Sequence, residues 1–158
     1  MSETKIVERE AVVITRTFGA PVERVYQAWT DPQLMVKWFS SNVRWRTPII
    51  DIEPVVGGKH DITMRHSDGD QYHLEGRYLE LTPNTRISFT WKVLESLGGT
   101  NESIVTVEFR PVDAGTELTL THTKLTDAER DGTSSGWDGC LEMLERYIES
   151  GVGLKEPD

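Results

Sequence analysis

Three features of the sequence predict an α+β fold in which a curved antiparallel sheet of six to seven strands wraps around a long C-terminal helix. In the stretch 135–150, Trp137, Leu141, Leu144 and Ile148 recur at helical spacing and share one face. Cys140 and Tyr147 widen that stripe, while Asp138, Glu142, Glu145, Arg146 and Glu149 cover the opposite side. From Val43 to Leu125 the apolar period changes to two, with close turns between successive runs, as in a meander of antiparallel neighbours. Between the first strand and this region lie two short helical stretches in tandem, an unusual opening for an antiparallel protein.

Taken in order, residues 1–8 are polar and predict a loose tail. Residues 11–18 alternate, with Val12, Ile14 and Phe18 on related sides of a first strand. Gly19-Ala20-Pro21 ends that strand, and Pro21 suits the first position of a helix carrying Val22, Val25, Tyr26 and Trp29 on one face. Asp31-Pro32 repeats the signal, an N-cap before a proline, and opens a second helix with Leu34, Met35, Trp38 and Phe39. Ile50 and Ile52 mark the next strand, closed by Pro54 and Gly57-Gly58. His60, Ile62 and Met64 share a face of the following one, and Ser67-Asp-Gly-Asp70 is a hairpin turn into a return strand from Tyr72 to Leu81. Ile87, Phe89, Trp91 and Val93 alternate with polar residues. A Gly98–Asn101 loop then leads to Val105, Val107 and Phe109, and Asp113-Ala-Gly115 turns into Leu118, Leu120 and His122. One face of this sheet is apolar and the other polar, so one side is covered. Thr126-Asp-Ala-Glu129 is a capping box for a short turn, interrupted at 131–136, and Ser134 or Ser135 caps the long helix. Gly151 and Gly153 stop it, and 152–158 should fray.

Size and charge bound the function. A chain of 158 residues makes one domain with one core, and no linker or repeat divides it. The net charge of −9 argues against nucleic acid and against an anionic membrane surface, which select clustered Lys and Arg. No apolar run approaches the roughly 20 residues that span a bilayer, and the N-terminus lacks a secretory signal. The lone Cys140 precludes an internal disulfide, fits a reducing cytoplasm, and reads as a small buried hydrophobe.

Several stretches carry a resemblance. They are Phe18-Gly-Ala-Pro-Val-Glu-Arg-Val-Tyr-Gln-Ala-Trp29, Asp31-Pro-Gln-Leu-Met-Val-Lys-Trp-Phe39, Val56-Gly-Gly58, Gly76-Arg-Tyr-Leu-Glu-Leu-Thr-Pro83, Ile87-Ser-Phe-Thr-Trp91, Gly115-Thr-Glu-Leu-Thr-Leu-Thr-His122 and Gly136-Trp137. In that order they resemble the family of homologues of the activator of heat shock protein 90 ATPase, within the START-like, Bet v 1-like (SRPBCC) superfamily. The resemblance is to the activator's C-terminal domain and implies the helix-grip fold. It also implies an interior cavity between the long helix and the concave sheet, suited to a small hydrophobic ligand such as a lipid or an aromatic molecule. The residues expected to line it are Trp38, Phe39, His60, Ile62, Met64, Phe89, Trp91, Phe109, Leu120, His122, Trp137, Leu141, Leu144 and Tyr147. Large aromatics with a few polar tips are the usual lining of such pockets.

The chemistry-bearing candidates are few. His60 and His122 each fall on an inward strand face, able to orient a polar group or to act as acid and base. Glu80, if inward, would join them through a raised pKa. His60, His66 and His73 lack metal-ligand spacing, Gly57-Gly-Lys59 lacks the frame of a phosphate loop, and Ser134-Ser135 lack that of a nucleophile elbow. The expectation is a cytoplasmic binding protein without cofactor or metal, monomeric or homodimeric. Its rivals are a protein-interaction module like the chaperone activator and a polyketide cyclase- or hydratase-like enzyme using the interior His and Glu residues.

Overall fold

The computed structural model describes residues 2–5, 11–40, 45–66, 69, 71–94 and 102–151. Strand β1 (Ser2–Lys5) and strand β2 (Val12–Phe18) precede helix α1 (Val22–Thr30) and the single turn α2 (Pro32–Met35). The meander follows as β3 (Trp45–Ile52), β4 (His60–His66), β5 (Gln71–Glu75), β6 (Tyr78–Thr82), β7 (Arg86–Val93), β8 (Glu102–Val112) and β9 (Gly115–Thr123). Helix α3 (Asp127–Ser150) closes the chain. Among the described residues the strands form one antiparallel sheet in the order β1-β2-β9-β8-β7-β5-β4-β3, with β6 also paired to β7.

Two differences raise the strand count among the described residues to nine. Residues 2–5, whose polarity predicts a loose tail, pair with Val13–Arg16 of β2. The expected return strand is broken at Gly76 into β5 and β6, both of which pair with β7. The break has a steric cause, since a Cβ at Gly76 would stand 2.0 Å from the Thr90 carbonyl oxygen. Backbone passes so close to backbone there that only glycine fits. The Ser67–Asp70 turn and the Gly98–Asn101 loop fall largely or wholly outside the described residues, but the strands on either side of each pair as expected.

The helices follow local rules. Asp31 caps α2, its Oδ1 accepting from the Gln33 N–H at 2.9 Å with Pro32 at the first helical position. Pro21, expected inside α1, is its N-cap instead. Trp38 and Phe39, expected within the second helix, lie just beyond it in hydrogen-bonded turns off Met35. The larger correction concerns α3. The predicted interruption at 131–136 is absent, and one helix runs from the Thr126/Glu129 capping box to Gly151, which ends it in the left-handed conformation at φ 75°. Gly132 and Gly136 are tolerated because helix continuity needs only the backbone, and glycine costs about 1 kcal/mol relative to alanine. The reciprocal cap at Thr126 and the buried Trp137, Cys140, Leu141, Leu144 and Ile148 outweigh that cost.

The core lies where α3, α1 and the concave face of the sheet meet, and it includes Val12, Ile14, Phe18, Val25, Trp29, Leu118, Leu120 and Leu144. One position departs from the apolar alternation of β2. Arg16 falls on the same buried parity as Val12, Ile14 and Phe18, and its Nε donates to Glu145 Oε1 of α3 at 2.7 Å. Glu145, expected on the solvent side of α3, thus turns toward the sheet. Burial, the largest single effect, would raise its carboxyl, but the Arg16 hydrogen bond and charge, together with a hydrogen bond to Glu149, hold it below the usual range. At the far end of α3, Arg24 of α1 donates to the Ile148 carbonyl at 2.9 Å. The helix is therefore tethered to both β2 and α1.

Candidate functional site

The expected lining residues occupy two neighbouring aromatic groups. In the first, Trp137 of α3 packs against Trp91 of β7 (5.1 Å between centroids), Phe39 (5.8 Å) and Trp29 of α1 (6.1 Å). Trp38 meets Trp29 edge-on at 4.8 Å and donates its indole N–H to the Ala28 carbonyl at 2.9 Å. Leu120, Leu141 and Leu144 are fully buried beside them, and Tyr147 is half-buried. This part of the predicted cavity is lined by rings that meet one another.

His122 sits among these rings, and its hydrogen bonds decide its role. The Trp137 indole can only donate, so its 2.9 Å contact makes His122 Nδ1 an acceptor. The ring is neutral, because burial pushes its pKa down to about 3. Its proton therefore sits on Nε2, which donates to Ser103 Oγ at 2.7 Å, and Ser103 in turn donates to the Trp91 carbonyl at 3.1 Å. The chain of donors runs from α3 through β9 and β8 to β7. A histidine that activates a serine must accept the serine proton, and here the direction is the reverse. Both nitrogens of His122 serve the fold, which removes it as an acid or base for the rival enzyme reading.

Glu80 does not face inward. It lies at the surface, accepting from Arg86 Nε at 3.0 Å and from Thr82 Oγ1 at 3.0 Å. Cys140 is buried, and burial pushes its thiol well above the usual range, so it behaves as a small hydrophobe.

The second group gathers around His60. Ladder bonds at the break in the return strand place it: the His60 N–H donates to the Gly76 carbonyl, and the Tyr78 N–H donates to that of Gly58, both at 2.9 Å. The start of β4 is thereby set beside the start of β6. The His60 ring stacks on Phe89 of β7 with centroids 3.8 Å apart, and Tyr78 stands perpendicular to it at 5.2 Å. His60 and Tyr78 are 2% and 1% exposed, yet His60 Nε2 and Tyr78 Oη have no hydrogen-bond partner. Burial lowers the His60 pKa to about 3, against a smaller opposing effect from a hydrogen bond with its own main chain. Burial also raises the Tyr78 hydroxyl well above its ordinary value, with a further contribution from Tyr26 of α1. Tyr26 is half-buried and packs edge-on against Phe109 of β8 at 5.4 Å. Ile62 is buried in line with His60, and Met64 is half-buried beyond it.

The sequence reading missed Tyr78, Ser103, Tyr26 and Trp29 as parts of the site. All four carried a signal: Ser103 shares inward parity with Val105 and Val107, Tyr78 with Leu74, and Tyr26 and Trp29 lie on the apolar stripe of α1. A polar atom placed at an inward position needs an account of its partner.

An antiparallel sheet closed by a long C-terminal helix, with two short helices after the first core strand, is the helix-grip architecture. The model of the family described as Activator of Hsp90 ATPase homolog 1-like protein matches residues 19–149, and the chain belongs to that family. A solved structure from Chromobacterium violaceum superposes with a TM-score of 0.79 at 26% identity, covering 96% of this chain and all (100%) of the other. The solution structure of an AHSA1-like protein from Aeromonas hydrophila gives a TM-score of 0.74 at 26% identity, over 89% and 93% of the two chains. A Mycobacterium smegmatis protein, at 19% identity and a TM-score of 0.80 over 94% and 96%, shares the fold. No curated protein matches the sequence. Among the described residues, no helix is long and apolar enough to cross a membrane.

Proposed function

We propose that this protein binds a small, mostly apolar, uncharged molecule in the interior beside His60. One observation carries the reading. His60 Nε2 and Tyr78 Oη are buried without partners inside an aromatic nest. A bare buried donor or acceptor costs about 1–3 kcal/mol, and a pair of them in one corner is accounted for by a guest that brings the missing partners. The aromatic surroundings supply apolar contact for the rest of that guest.

The same groups favour binding over proton-transfer catalysis. A general acid or base works best with a pKa near the operating pH, whereas burial moves His60 and Tyr78 away from neutrality in opposite directions. The other two candidates, His122 and Glu80, are committed to structural contacts. A cytoplasmic setting belongs to this reading, since a lone buried thiol suits a reducing compartment.

A specific observation supports a second reading, a protein-interaction module. Val55, Val56 and Leu79 are 61%, 68% and 47% exposed, and a bond from the Gly57 N–H to the Tyr78 carbonyl draws their segments together. Native mass spectrometry of the protein as purified, followed by thermal melts against lipids, flavonoids and aromatic polyketides, separates the two. The binding reading predicts a co-purified small mass, or a dose-dependent rise in melting temperature for one class. Silence across the panel transfers the case to the protein-partner reading.

A further inference from the structure

We propose that the corner formed by His60 and Tyr78 is a subsite for the hydroxyl group of an uncharged alcohol or phenol. The inference rests on the binding reading above and names the ligand's chemistry. It follows from the pairing capacity of the two bare atoms. The His60 main-chain contact engages a ring N–H. Since Nε2 is without a partner, that N–H is on Nδ1, and Nε2 of the neutral ring presents a lone pair and no proton. Tyr78 presents an O–H. The corner thus offers one acceptor and one donor, on perpendicular rings whose centroids are 5.2 Å apart.

A ligand hydroxyl answers both, giving its proton to Nε2 while its oxygen accepts from Tyr78. A ketone or ether oxygen accepts from Tyr78 and leaves Nε2 bare. A carboxylate would carry a full charge into a spot where burial already keeps His60 from protonating. Phe89, stacked on the His60 ring at 3.8 Å, holds the acceptor in a fixed plane. Tyr26, half-buried on α1, is near enough to influence Tyr78.

The test uses three probes of similar shape on the full chain: 2-naphthol, 2-methylnaphthalene and 2-acetylnaphthalene, with affinities from calorimetry. The methyl compound is the more hydrophobic, so an apolar site without the subsite prefers it. The proposal predicts that 2-naphthol binds at least about 10-fold tighter than either of the others, as expected when a hydrogen-bonding site meets an analogue lacking the group. In His60→Phe and Tyr78→Phe that preference should fall to within about 3-fold while the methyl compound still binds. Equal affinities in the wild type, or a preference unchanged in both variants, overturn the subsite and leave the binding reading standing. No binding by any probe overturns both. Should a variant fail to fold, the ¹⁵N resonance of His60 Nε2 in the wild type decides: it must shift with 2-naphthol and stay in place with 2-methylnaphthalene, and the reverse refutes the proposal.

Discussion

Replacing Trp137 by Phe tests the claim that His122 is a structural relay and not a catalytic base. The change removes the donor 2.9 Å from His122 Nδ1 and leaves that acceptor buried without a partner, which costs about 1–3 kcal/mol. The smaller ring also loosens contacts with Trp29, Phe39 and Trp91, adding about 1 kcal/mol, well below the cost of truncation to alanine. The expected loss is therefore about 2–4 kcal/mol. With a urea m-value of about 1–3 kcal/mol/M, the midpoint at pH 7 should fall by roughly 1–2 M with little change in slope. His122→Leu should be costly as well, because it strands the Trp137 N–H. In Trp137→Phe/His122→Leu no partner is left bare across that contact, so the double variant should be at least about 1 kcal/mol more stable than the sum of the single losses predicts. Additivity within about 0.5 kcal/mol would refute the relay and reopen His122 as a free base.

Three further outcomes follow from the same structure. Both histidines have folded pKa values of about 3, below the ordinary 6.5, so the unfolded chain takes up protons first as the pH falls. Stability should be full above about pH 6.5 and decline toward pH 3, by up to about 1.4 kcal/mol per pH unit for each ring; urea midpoints from pH 7 to 4 check this, and His60→Phe should roughly halve the histidine contribution. Gly76→Ala drives a methyl group into the Thr90 carbonyl and should cost at least about 2 kcal/mol, seen as a drop in melting temperature of about 4 °C or more, because neither strand can retreat without breaking its pairing with β7. Thr126→Ala removes the oxygen that accepts the Glu129 N–H and should cost about 1 kcal/mol in the same melts.

Where burial follows period, the fold could be read from sequence. The face of Trp137, Leu141, Leu144 and Ile148 is buried as a unit, and the Asp31-Pro32 signal opens a helix where expected. What the sequence did not disclose depends on distances between residues remote in the chain. The break at Gly76 exists because β7 passes too close for a side chain, and no local pattern reports that approach. The continuity of α3 through Gly132 and Gly136 reflects tertiary packing overriding propensity. Arg16 stands at inward parity for the sake of Glu145, 129 residues away. At the site, parity placed both His60 and His122 inside, and only their partners distinguish them. His122 is bonded at both nitrogens, and His60 Nε2 is buried without a partner.

The central claim is that a small uncharged molecule enters beside His60, and intermolecular NOEs test it most directly. Unlabelled 2-naphthol would be titrated into uniformly labelled protein and the contacts filtered for ligand protons. Cross-peaks from the probe to the rings of His60, Tyr78 and Phe89 are the predicted result. Cross-peaks confined to the exposed side chains of Val55, Val56 and Leu79 would contradict the account and move the binding surface outside the fold.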